Sequence, residues 1–384
     1  MASPSAASTI AEQIAEMQPV LIAHFNASYG DALTILGRAH SGLDDVVEAE
    51  LRGMTCETIT LGVHTPDAVT DIIVPFDRPL ADLADIQTAS VAAIAAARAK
   101  LGITQLTSAE IEAASLASIP THITSVVAVE MVTPRIKQIT FGGRDLVNFQ
   151  PVGPDQFLYV LAAAPGQAEL PIDSSFTWEQ YDMTPADERP IGAYYTVRRW
   201  RPETAELDMW FVLHGDSQDH VAGPASTWAA QAMPGESVGL WGPRTAWAPP
   251  AAADWYLLTG DETGLPAIAA ILESLPEGTP ARVFVETTGT TDRVDLPASR
   301  TVEITWLDRG AEPAGTSTLL ADAVRSMPWP GGNAYAWGGG ESRAMTAIRK
   351  YVRHEVGLPR EAVSMTGYWR HASDTTPLAD ELDS

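Results

Sequence analysis

The sequence predicts a multidomain chain: an N-terminal α+β domain, an antiparallel β-barrel, and a C-terminal doubly wound α/β domain. Three observations carry this. Alternating strands over 57–75 lead into an Ala-rich helical run near 82–100. Short strand-like segments separated by turn signals fill 123–242, the spacing of a closed barrel. From Asp254 onward strands and helices alternate, which implies a mostly parallel sheet.

In chain order, residues 8–40 read as helical. Thr58–Val63 alternates, turns at Thr65-Pro-Asp67 and returns along Val69–Pro75. The helix from about Asp82 to Lys100 turns Ile86, Val91, Ile94 and Ala97 toward a core. These elements place an accessory domain over 1–102, followed by a linker at 103–121 carrying one short helix. The barrel domain, 122–247, takes strands at 123–131, 135–142, 156–163, 192–200, 206–214 and 236–242, with a long polar loop at 164–191. The α/β domain, 248–372, takes strands at 254–260, 281–287, 301–307, 333–337 and 362–369, and helices at 264–275, 316–327 and 341–356. The tail 373–384 carries Asp374, Asp380, Glu381 and Asp383 without a base and reads as disordered.

Composition narrows the function classes. A net charge of −25 at 384 residues disfavours nucleic acid and anionic membrane as partners. The single cysteine, Cys56, excludes an internal disulfide and a Cys-only metal site, and reads as a small buried hydrophobe. The first ten residues lack the basic start and apolar run of a signal peptide, and no segment approaches a membrane span, so the cytoplasm is the expected compartment.

Two stretches of the α/β region share one order: apolar strand, Gly/acid turn, helix start. They are Trp255–Ile268, containing Gly260-Asp-Glu-Thr263, and Ala334–Met345, containing Gly339-Gly-Glu341. A strand feeding a helix N-terminus presents backbone N–H groups and the positive end of the helix dipole to an anion. Two such turns suggest one dinucleotide site, although the G-x-G-x-x-G spacing is absent and ordinary α/β architecture produces similar turns.

In the barrel, strand alternation puts Tyr194, Thr196 and Arg198 on one face of Gly192–Arg201, and Tyr195, Val197 and Arg199 on the other. Arginines at 198, 199 and 201 stand out in so acidic a chain. They suit a phosphate-bearing heteroaromatic ring, or equally an edge strand paired with surface carboxylates. His214-Gly215 ends the next strand. Gly223-Pro-Ala-Ser-Thr-Trp-Ala229 then starts another helix suited to an anion, with His214 as a phosphate donor or a strand-end histidine.

These residues, with Gly242-Pro-Arg244, Gly260-Asp-Glu-Thr263, Trp337-x-x-Gly-Glu341 and Gly367-Tyr-Trp-Arg370, resemble the siderophore-interacting proteins, flavin-dependent ferric-siderophore reductases of ferredoxin reductase-like fold. The resemblance covers residues 122–372. The first hundred residues resemble, through His24-Phe-Asn26, Asp31-Ala-Leu33 and Ile73-Val-Pro-Phe76, a small domain of haem-utilisation and pyridoxamine-phosphate-oxidase-like proteins.

The resemblance implies FAD on the barrel. Tyr195 and Val197 would lie along the flavin, the Thr196 hydroxyl at its N5/O4 edge, and Arg198 would add positive charge. His214, Gly223, Pro224, Ala225, Ser226 and Trp228 would surround the pyrophosphate. It implies NADPH or NADH against Gly260, Asp261, Glu262, Thr263, Gly339, Gly340 and Glu341, with Tyr368 and Trp369 gating the nicotinamide. Arg293, Arg343, Arg349 and Lys350 could read a 2′-phosphate or face solvent. The implied substrate is a ferric siderophore, with Arg198, Arg199 and Arg201 as candidates to attract it, no metal resident and no acid–base residue needed for the electron transfer itself.

Three features depart from the family pattern. Ala193 stands where an arginine binds the FAD pyrophosphate, Trp210 replaces an acid four residues before His214, and 216–222 is longer than usual. Two other functions remain open. One is a non-catalytic siderophore- or haem-binding module with a degenerate flavin site, using His24, His40 or His64 for haem. The other is a flavin reductase or electron-transfer component that docks a protein partner on its acidic surface.

Overall fold

The computed structural model describes residues 9–371, apart from Ala84, Ala168, Ala186, 214–222 and Ala298. The acidic tail, His214 and the 216–222 insertion therefore lie outside the described residues. The chain divides into two units at Ile119/Pro120.

The first unit packs helices α1 (Ile10–Ser28) and α2 (Gly30–His40) on an antiparallel sheet of β1 (Glu48–Met54), β2 (Thr58–His64) and β3 (Val69–Pro75), in that order. Helices α3 (Asp85–Lys100) and α4 (Ser108–Ala117) complete it. Leu33 and Leu36 of α2 meet Leu51, Leu61 and Val63 of the sheet and Ile94 of α3 in one core, and Cys56 packs at its margin. A capping box between Thr9 and Glu12 starts α1.

Three expectations change here. The single helical run at 8–40 is two helices, because Tyr29 leaves helical geometry at φ −127°. Strand β1 was not expected. The segment assigned as a linker belongs to the first unit. Both Glu110 oxygens of α4 accept from Arg98 Nε at 3.0 Å, and the Ser108 amide donates to Asp31 at 2.9 Å.

The second unit opens with the barrel: β4 (Thr121–Met131), β5 (Ile136–Gly142), β6 (Phe157–Ala162), α5 (Trp178–Met183), β7 (Ile191–Arg201), β8 (Glu206–Val212), α6 (Pro224–Gln231) and β9 (Ser237–Arg244). Its strands close in the order β4-β5-β8-β7-β6-β9. Phe141, Leu158, Leu207, Met209 and Leu240 fill the interior. The closure is incomplete in one place. Strands β7 and β8 pair only from Val197↔Met209 onward, past a bulge before Arg199. Beyond that point residues 191–196 pair with β6 alone, and 210–212 with β5 alone. The β7/β8 ladder ends there, and the rings of Tyr195 and Phe211 pack across the seam.

The same unit continues with β10 (Trp255–Gly260), α7 (Leu265–Ser274), β11 (Ala281–Thr287), β12 (Val302–Asp308), α8 (Leu319–Ser326), β13 (Ala334–Glu341), α9 (Ser342–Lys350) and β14 (Val363–Trp369). All neighbours are parallel, in the order β12-β11-β10-β13-β14. The winding reverses between β10 and β13, which sets a crevice at their carboxyl ends. Continuous apolar runs such as Leu257-Leu258 and Val283–Val285 are buried on both faces, as a parallel sheet requires.

Candidate functional site

Helix α6 lies under the barrel seam. The Ser226 hydroxyl donates to the Val212 carbonyl at 3.2 Å, fixing the helix against β8. Trp228 stacks 6.5 Å from Phe141, meets Phe211 edge-on at 5.9 Å and donates to Glu236, so it anchors the helix. At the far end, buried Lys137 donates to the carbonyls of Ala230 and Ala232, placing a cation on the negative pole of the helix dipole. Burial lowers the Lys137 pKa. Among the described residues the N-terminus carries no side-chain cap: Gly223 precedes Pro224, and no described atom lies within 4 Å of where its β-carbon would stand. Ala225 is buried beside it. A seam lined by aromatic rings beside a helix N-terminus whose N–H groups have no side-chain cap among the described residues suits a flat ring joined to a pyrophosphate, and these residues fit FAD.

Along β7, Val197 points into the core and Tyr195 packs 4.1 Å from Phe211 at the seam, where burial pushes its pKa up to about 12. Buried Thr196 faces the phenol of Tyr368. The arginines do not form an open cationic cluster. Arg198 is buried, forks onto Glu273 of α7 at 2.9 and 2.7 Å and lies 5.1 Å over Trp210. Arg201 pairs with Glu206 and Asp208. Arg199, 55% exposed, shares Glu273 at 3.4 Å. The bulge after Val197 breaks the expected alternation, and pairing with carboxylates is the reading the structure favours.

The two glycine turns meet at the crevice. Asp261 ties them together: one carboxylate oxygen accepts the amide and hydroxyl of Thr263, the other accepts the Glu341 amide at 3.0 Å and Trp369 Nε1 at 2.8 Å. Burial, with Glu262 beside it, raises the Asp261 pKa. The glycines serve close approach. A β-carbon on Gly260 or Gly264 would fall 2.5 or 2.3 Å from the Gly339 carbonyl oxygen, and one on Gly340 would fall 3.0 Å from Asp261.

Two acids differ from the expected ligand-facing role. Glu341 caps its own helix, accepting the Ala344 amide at 3.0 Å, so α9 already carries an anion at its N-terminus. Glu262 turns into a buried ion network, accepting from Thr288 and from Arg309, which also lies 3.8 Å from Glu286. Burial raises the Glu286 pKa.

Tyr368 and Trp369 end β14 over this crevice. Burial raises the Tyr368 pKa, and its ring fills the space above Gly339. Barrel and sheet are joined nearby: fully buried Trp337 of β13 donates from Nε1 to Asp155 at 2.9 Å, and the other Asp155 oxygen accepts from Thr245 and Trp247. Neither Asp155 nor Lys137 was singled out in the sequence, because their partners stand tens of residues away.

Of the 2′-phosphate candidates, Arg293 is held by Asp308 at 2.7 Å and Arg349 donates to the Met365 carbonyl. The histidines considered for haem are engaged in the first unit. His24 contacts the Tyr29 hydroxyl, His64 faces Glu50 at 3.4 Å, and burial, then Lys100, lowers the His40 pKa. Among the described residues, no group of three His, Cys, Asp or Glu could hold a metal, and no helix is long and apolar enough to cross a membrane.

Comparison with known proteins agrees with this geometry. Residues 125–247 match the siderophore-interacting FAD-binding domain, and 253–372 match the siderophore-interacting protein model. An uncharacterized protein of Mycobacterium tuberculosis is 35% identical over 265 residues, covering 66% of this chain and 92% of its own length. Ferric vibriobactin reductase ViuB of Vibrio cholerae is 30% identical over 256 residues, covering 65% and 89%. The crystal structure of a siderophore utilization protein from T. fusca superposes with a TM-score of 0.59 at 30% identity, covering 67% of this chain and 95% of that one. The chain belongs to the siderophore-interacting protein family, with an FAD-binding barrel and a ferredoxin reductase-like fold.

Proposed function

We propose that the chain is an NAD(P)H-dependent ferric-siderophore reductase acting in the cytoplasm. The observation that carries this reading is the break in the β7/β8 ladder, with Thr196 beside it facing Tyr368 at the nucleotide crevice. Bound in the seam, FAD would accept a hydride and return its electrons singly, which matches a two-electron donor to one-electron Fe(III).

The protein's own part is binding and exclusion of water. The N–H groups of Gly223, Ala225 and Ser226 would hold the pyrophosphate, Tyr195 would line the ring, and the Thr196 hydroxyl would donate at its edge. Gly260, Thr263, Gly339 and Gly340 form the floor for the nicotinamide nucleotide. Tyr368 shields that floor until the dinucleotide arrives. Arg199, the most exposed of the three arginines, draws an anionic chelate toward a surface that otherwise repels it.

Reduction of Fe(III) weakens its hold by hard oxygen donors, so iron leaves. The test is an anaerobic titration of the FAD-loaded chain with NADH and NADPH, then addition of a ferric siderophore in the presence of an Fe(II) trap. Bleaching by the dinucleotide followed by Fe(II) capture is expected. A chain that takes up no flavin overturns the reading.

A further inference from the structure

We propose that the open edge of strand β3 is where two copies of this chain pair, joining their β1-β2-β3 sheets into one continuous sheet across a two-fold axis. The inference is independent of the reductase reading. It concerns a unit that lies outside both matched stretches, 125–247 and 253–372.

The two edges of the sheet are built differently. Along β1 the outward backbone groups are taken by side chains of α1 and α2. Thr34 accepts the Ala49 amide at 3.2 Å, and Gln18 accepts the Met54 amide at 2.8 Å. Between them, Asn26 exchanges two hydrogen bonds with the Leu51 backbone, at 3.1 and 2.6 Å. These helix side chains stand where a further strand would pair, so that edge is closed.

The opposite edge has no such cover. Among the described residues β3 pairs with β2 alone, through a ladder that runs without a bulge from Val69 to Pro75. The Phe76 amide donates to the Glu57 carbonyl and the Thr65 amide to that of Ala68, which fixes the phase of the ladder. Antiparallel pairing alternates, so Val69, Asp71 and Ile73 turn their N–H and C=O groups away from β2. Their side chains share the face opposite the core, where Val69 is 48% and Ile73 67% exposed.

Bare edges are commonly guarded by proline or by charge. Here proline comes only at Pro75, past the three open residues, and the charge of Asp71 is already matched. Arg52 of β1 reaches across β2 to Asp71 at 2.5 Å, while also holding Glu50 at 3.0 Å. It passes over Gly62, where a β-carbon would fall 2.3 Å from the Arg52 Nε.

The residues of the edge select the occupant. Val69-x-Asp71-x-Ile73 reads apolar, acid, apolar in both directions. An antiparallel copy centred on Asp71 therefore sets Val69 opposite Ile73 on both sides of the axis, and about six backbone hydrogen bonds close the junction. The two Asp71 carboxylates come opposite one another, where like charges repel. Each brings its own Arg52, so guanidiniums accompany both carboxylates at the centre. Sliding the register by two residues sets Asp71 against Val69 or Ile73 and loses the apolar match.

The test is sedimentation velocity on the full chain from ~2 to ~200 µM at ~0.15 M salt, which screens the repulsion between two chains of net charge −25. A reversible dimer is expected. Val69→Lys and Ile73→Lys each weaken it at least ~10-fold, whereas Val47→Lys, at an exposed apolar residue beside the closed edge, leaves it unchanged. Arg52→Gln leaves the aspartates facing each other and weakens it about 3-fold, and adding Asp71→Asn restores it. Far-UV circular dichroism confirms the fold of each variant, and either lysine variant that folds is sufficient. A chain that stays monomeric throughout, a dimer unmoved by a folded lysine variant, or an Arg52→Gln defect that Asp71→Asn does not repair overturns the proposal.

Discussion

The ring of Tyr368 lies against Gly339, so near that a β-carbon at residue 339 would fall 2.7 Å from Cζ. The same phenol faces Thr196 of the barrel. The ring therefore stands where the proposed flavin edge and the nicotinamide would meet.

Replacing it should open that place. Tyr368→Ser is expected to tighten the dinucleotide about tenfold, because binding no longer displaces a packed ring. Difference absorbance during titration with oxidised dinucleotide reads the Kd. An unchanged Kd would mean that the ring does not obstruct the crevice.

Glu273→Gln leaves buried Arg198 with a neutral partner, at a cost of about 1–3 kcal/mol, seen as a lower urea midpoint. The pH dependence has a definite sign. The Arg198 guanidinium holds the Glu273 carboxyl below its ordinary 4.5. Its stabilisation is complete above that value and is lost as pH falls through the folded-state pKa. The wild-type chain should lose stability more steeply than Glu273→Gln on acidification below 4.5.

Asp308 occupies the Arg293 guanidinium at 2.7 Å. Asp308→Asn frees that cation at the end of β12, and kcat/KM for NADPH should rise about 3- to 10-fold while that for NADH stays level. Parallel steady-state assays decide it. An equal rise for both dinucleotides would remove Arg293 from 2′-phosphate recognition.

Ala193 stands on the stretch of β7 that has no partner on the β8 side. The resemblance puts an arginine there, against the FAD pyrophosphate. Ala193→Arg should tighten FAD about tenfold by adding a charge-assisted contact. Flavin fluorescence during dilution measures it, and equal release from both proteins would place the pyrophosphate elsewhere.

The α/β half was the most legible part of the chain. Buried apolar runs, glycine turns and amphipathic helices follow one another from Trp255 to Trp369 with little interruption, and each expected boundary before residue 330 falls within a few residues of the observed one. Strand β1 escaped notice because Ala49 and Gly53 are poor strand formers between the charged Glu48, Glu50 and Arg52. Helix α4 reads as linker in isolation, since its hold comes from Arg98 and Asp31, far back in the chain. The fate of the arginines was equally hidden: nothing near Arg198 announces Glu273, 75 residues on. Motif order located the site, but which of its charges are already spent is a tertiary fact.

The Asp155–Trp337 bond has a kinetic consequence. With the Arg198–Glu273 fork it rivets barrel to sheet on either flank of the crevice, so spreading the halves apart would strand a buried carboxylate and a guanidinium together. On the proposed reductase reading, dinucleotide passes by the swing of the Tyr368 ring, and turnover should proceed with the framework standing still.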